Sequence, residues 1–105
     1  MDACSHCKEL NLEAEIVSPK DFAKALRIAK ANIADGTIQE SSYWPPGVIR
    51  SCKTPFSQIR TDGAWQEDIF EYYFECTKCH KLYHLSCNTY HGSGGAWRPV
   101  NESEI

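Results

Sequence analysis

Residues 75–87 read ECTKCHKLYHLSC, and three of the chain's six cysteines and two of its four histidines fall inside them. This run decides the fold because it joins two alternating segments. Upstream, in DIFEYYFEC (68–76), Phe70, Tyr72 and Phe74 fall on one side of an extended chain, and Glu71, Tyr73 and Glu75 on the other. Downstream, KLYHLSCNTY (81–90) reads as the returning strand of a hairpin. Between them CTKC (76–79) is a tight turn, whose two-residue gap lets both sulfurs point at one centre.

A matching half-site, CSHC, stands at residues 4–7. Four thiolates from Cys4, Cys7, Cys76 and Cys79 would close a tetrahedron around one Zn2+, at Zn–S distances of about 2.3 Å. A closed set leaves no open coordination position, so the ion is expected to be structural. Residues 8–75 form a long insertion between the half-sites. That is tolerable, because loop-closure entropy grows only logarithmically with length. Were the compartment oxidising, the six cysteines would have three disulfides open to them instead.

CSHC followed by a strand, and FECTKCHKLYHL as strand, knuckle and strand, resemble the two hairpins of the zinc-ribbon group. The likeness covers only the cysteine-bearing segments and implies a fold and a metal, not a function. A second segment is similar to the middle of a PHD finger: Cys76, Cys79, His84 and Cys87, with Tyr83 before the histidine. That family holds two zinc ions in a cross-braced manner and reads methylated histone tails. Here its last Cys-x-x-Cys pair is absent and the first pair lies too far upstream. A variant in which Cys4 and Cys7 join His84 and Cys87 keeps those two as alternative ligands. On a strand, however, residues three apart face opposite ways, which disfavours their joint ligation. Cys87 and Cys52 then read as small buried hydrophobes.

The rest of the chain surrounds this site. Leu10, Leu12, Ala14 and Ile16 alternate with polar residues and predict a strand. Ser18, Pro19 and Asp21 are an N-cap, a first-turn proline and a capping-box partner. Phe22, Leu26, Ala29 and Ile33 recur at helical spacing, and Gly36 is placed for a left-handed cap. An amphipathic helix over about 19–34 follows. From Thr37 to about Gln66 the paired prolines exclude helix and central strand, so an irregular, aromatic-rich loop is expected. HGSGGAW (91–97) reads as a glycine-rich turn and NESEI (101–105) as a polar tail. The predicted fold class is α+β: one domain over 1–105, with a zinc-ribbon-like antiparallel sheet, one inserted helix and a long aromatic loop.

At 42% hydrophobic and 24% charged the composition is that of an ordinary folded domain. A net charge of −3 argues against sequence-blind phosphate binding. The opening MDACSHC carries no secretory pattern and no stretch has membrane-spanning length, so a cytoplasmic location is expected. Catalytic signatures are missing: HGSGG lacks the lysine and helix start of a phosphate loop, and His80 with His84 lacks an adjoining general base. A non-enzymatic role is the expectation.

What remains is display. Asp62, Glu67, Asp68, Glu71 and Glu75, with Trp44, Trp65 and Tyr73 beside them, would form an acidic and aromatic patch for a protein partner. The competing reading is that the tryptophans cover the core and the acids solvate a strand. The short acidic layout and the TYHGSGGAW ending (89–97) are similar to small bacterial immunity proteins encoded beside toxins. That likeness implies neutralisation of a basic toxin domain by direct binding. The alternative is a nucleic-acid-binding zinc ribbon, with Lys78, Lys81, Arg98 and the helix lysines on phosphate and Tyr83 or Trp97 stacking on bases. A histone-tail reader is the second alternative.

Overall fold

Alternating apolar residues in the second half of the chain build a three-strand meander, and the N-terminal half wraps it. The computed structural model describes residues 5, 7–10, 13–41, 43, 55–59, 69–88 and 94–100. In chain order these form a 3-10 turn at Lys8–Leu10, β1 (Ala14–Ile16), α1 (Pro19–Ala34), β2 (Ile38–Glu40), a second 3-10 turn at Phe56–Gln58, β3 (Ile69–Cys76), β4 (Leu82–Asn88) and β5 (Gly94–Pro99). The strands make one open, antiparallel sheet in the order β1-β5-β4-β3-β2. β1 and β2 therefore lie on opposite edges, and α1, which links them in sequence, packs across one sheet face.

Register explains the core. Phe70 pairs with Cys87, Tyr72 with Leu85 and Phe74 with Tyr83, while Leu85 pairs onward with Trp97. Cross-strand partners share a face, so these residues form one apolar layer under the helix. Phe22, Leu26 and Ala29 of α1 are fully buried against it, and the Phe22 and Phe70 rings stand 5.4 Å apart. Truncating Phe22 to alanine would cost about 3–5 kcal/mol as lost burial plus cavity.

The helix limits follow local chemistry. Ser18 accepts from the Asp21 amide at 3.3 Å, and the Asp21 carboxylate accepts from the Val17 amide at 3.1 Å. The shorter aspartate thus serves the residue before the cap, a variation on the capping box. At the other end Thr37 N–H donates to Asn32 O and Gly36 N–H to Ile33 O, with Gly36 at φ 85°. This is the paired-bond C-terminal cap that only a left-handed residue completes.

Three expectations change. The predicted strand from Leu10 to Ile16 shortens to β1, because Lys8–Leu10 turns as a 3-10 element. The predicted irregular segment contains β2 and the second 3-10 turn. The aromatic expectation holds for Phe56, which packs edge-on at 5.1 Å from Tyr72 and 4.8 Å from Phe74. Lastly, half of the glycine-rich turn is strand β5. Gly95 faces Cys87 on one side and Ile16 on the other. A Cβ there would collide with Ser86 O and come within 2.6 Å of the Cys87 Cα, so glycine lets β5 lie close against β4. Pro99 is tolerated because β1 pairs only with residues 95–97, leaving the proline nitrogen no β1 partner to lose among the described residues.

Candidate metal centre

The β3–β4 turn presents two sulfurs. Cys76 closes β3, and the amides of Lys78 and Cys79 donate to its Sγ at 3.3 and 3.5 Å. His80 N–H returns to Cys76 O at 3.0 Å, and His80 takes φ 64° to make the turn. Thr77 fastens the turn from outside: its hydroxyl donates to Gly36 O and its amide to Thr37 O at 3.1 Å. The helix C-terminal cap is thereby an anchor for the knuckle.

The third sulfur comes from the start of the chain. Leu10 N–H donates to Cys7 O at 2.9 Å, closing the first 3-10 turn. Trp97 Nε1 donates to Leu10 O at 3.0 Å, and Tyr83 places its hydroxyl 3.3 Å from Cys7 O and 3.1 Å from Cys7 Sγ. These contacts hold an N-terminal segment against the central strands. Cys7 Sγ lies 3.7 Å from Cys79 Sγ, and the sulfurs of Cys7, Cys76 and Cys79 all fall within 4.8 Å of one another. They are close enough to bind one metal ion. Cys7 and Cys76 are buried and Cys79 is half-buried. Cys4, the fourth predicted ligand, lies outside the described residues.

Burial first, then the hydrogen bond to Cys7 and the nearby charges of Cys7, Cys79 and Cys76, push the Tyr83 phenol far above its ordinary range. It is a hydrogen-bond donor at any physiological pH. Cys87 belongs to the hydrophobic core, and burial pushes its thiol up to about 11. His84 lies on the opposite sheet face, its ring stacked on Tyr73 at 4.5 Å and Nε2 3.7 Å from Glu71 Oε2. Neither alternative ligand joins the sulfur cluster: alternation turns His84 to the other face, and register sets Cys87 opposite Phe70, six residues up β3 from Cys76.

Of the predicted partner patch, Glu71, Tyr73 and Glu75 share the outer face of β3. The two carboxylates are about a quarter exposed, at 28% and 26%. Tyr73 is instead covered: Tyr43 meets it edge-on at 5.1 Å, and it clusters with Leu82 and Val100. Trp44, Asp62, Trp65, Glu67 and Asp68 lie outside the described residues. Of the helix lysines, Lys30 donates to Phe56 O at 3.3 Å and lies over the Phe56 ring. Sequence reasoning missed Thr77 and Tyr83 as supports of the cluster. Their only signal is position, one inside the knuckle and one four residues past it on the core face.

The fold and site define an α+β domain with a three-thiol, metal-competent cluster linking its N-terminal segment to the central hairpin. No family profile, curated protein or solved structure matches the chain. Among the described residues no helix is long and apolar enough to cross a membrane.

Proposed function

We propose that this chain is a non-catalytic binding protein whose fold is stapled by one structural Zn2+, and that it acts as an immunity protein, neutralising a bacterial toxin domain by direct binding. Cys7, Cys76 and Cys79 would hold the ion, with Cys4 the expected fourth ligand. The observation that carries the metal reading is the Cys7–Cys79 sulfur separation of 3.7 Å. Zn–S bonds of about 2.3 Å in a tetrahedron set sulfur–sulfur edges of about 3.8 Å. All three donors are soft thiols, which favours zinc over the hard cations. Burial and backbone N–H···S bonds suit a structural ion rather than a substrate-binding one.

The binding reading rests on Glu71 and Glu75, two partly exposed carboxylates on one face of a rigid central strand. Such a pair steers a basic surface. Tagged protein recovered from its native host, with bound material identified, tests the role. A stoichiometric protein partner that stays bound in high salt, and is released by Glu71→Lys with Glu75→Lys, is the expected result. Bound nucleic acid that dissociates steeply with salt would sink it.

A further inference from the structure

We infer that Tyr83 is the positioning residue of the metal centre: its phenol donates to the Cys7 thiolate and fixes that sulfur's orientation and bond to the ion. The inference rests on the metal-binding reading above and deepens it.

The two ends of the cluster are supported differently. Cys76 receives backbone amides from its own turn. Cys7 receives a side-chain donor from β4, seventy-six residues away in sequence. Tyr83 is fully buried, and a buried phenol needs an acceptor. Two are in reach, Cys7 Sγ at 3.1 Å and Cys7 O at 3.3 Å. That carbonyl already accepts from Leu10 N–H at 2.9 Å, which leaves it one lone pair. A thiolate is the stronger acceptor, since hydrogen bonds to ionised groups are about twice as strong as neutral ones. With an ion bound, the single hydroxyl proton goes to sulfur. The buried ring stacks on Trp97 at 5.6 Å, and Trp97 in turn donates to Leu10 O. Tyr83, Trp97, Leu10 and Cys7 thus close a loop of contacts that aims one sulfur at the cluster. Donors of this kind, one shell out from a metal, set affinity and electronics of the bond they touch.

Cobalt(II) titration of the metal-stripped full chain tests this, because thiolate-to-cobalt charge transfer reports the electron density on sulfur. Wild type, Tyr83→Phe and Leu85→Ala are compared. Leu85 lies in the same core, two residues along β4 from Tyr83, and its side chain carries no hydrogen-bond donor. The wild type is expected to show tetrahedral thiolate bands. In Tyr83→Phe the charge-transfer band moves to lower energy and affinity falls roughly 10–100-fold. Leu85→Ala lowers the melting temperature and leaves the band in place. A second measurement needs no variant: in wild type loaded with NMR-active cadmium, a slowly exchanging hydroxyl proton should show scalar coupling to the metal. Wild-type bands and affinity in Tyr83→Phe, or absence of a coupled hydroxyl, overturn the role of Tyr83 while leaving the metal site intact. No cobalt binding by the wild type would overturn both.

Discussion

Thr77, inside the β3–β4 knuckle, donates its hydroxyl to the carbonyl of Gly36, the left-handed residue that caps α1, at 2.6 Å. With the Thr77 amide bond to Thr37 O, this short bond ties the cysteine-bearing turn to the end of the helix. Thr77→Val keeps the shape and removes the donor. It is expected to cost about 1 kcal/mol, read as a fall of roughly 4–8 °C in melting temperature for a domain near this size. An unchanged melting curve would mean that helix and knuckle are not coupled through this contact.

Metal removal has an asymmetric signature. Cys76→Ser removes a sulfur at the hub of the cluster, and bound metal measured by elemental analysis should vanish. Cys87→Ala removes a sulfur from the core and should leave metal stoichiometry at the wild-type level. A site kept saturated at a thousand times its Kd contributes about 4 kcal/mol. Chelator should therefore lower the melting temperature of wild type and leave that of Cys76→Ser where it is.

His80 holds a left-handed backbone, φ 64°, that costs a side-chain-bearing residue about 1–2 kcal/mol. His80→Gly relieves it and, among the described residues, sacrifices only an exposed contact with Glu75 at 3.4 Å, of a kind worth under about 1 kcal/mol. The variant should be equally or more resistant to urea, by up to about 1 kcal/mol, with metal retained. Marked destabilisation would show the imidazole to be a structural partner of the knuckle.

Cys87 gives a pH dependence of known sign. Its thiol is raised by burial from 9.0 to about 11 in the folded protein. The unfolded chain therefore loses this proton first as pH rises. The contribution is fully present below pH 9.0 and is lost progressively as pH passes about 11. Denaturant melts across that window should fall more steeply for wild type than for Cys87→Ala. Parallel profiles would contradict the raised thiol.

Much of the fold was legible in the residues. Ser18 and Gly36 mark the two ends of α1, because capping is chemistry between neighbours in sequence. Phe70, Tyr72 and Phe74 reveal the buried face of β3, because a strand's period of two depends on nothing distant. The same alternation separates His84 from Cys87.

What the chain alone could not reveal depends on contacts between distant segments. Gly94 and Gly95 read as a turn because glycine permits bends. Only the neighbouring strands show that β1 crowds β5 at Gly94 and β4 crowds it at Gly95. β2 is three residues long and has no pattern of its own; pairing with β3 makes it a strand. That Cys76 and Cys79 share a turn follows from local spacing alone, since two intervening residues bring their sulfurs together. That Cys7 meets them, with Tyr83 against its sulfur and Thr77 locked to Gly36, was decided by tertiary structure. The residues concerned are separated by tens of positions, and no local rule constrains the distance between them until the sheet has formed.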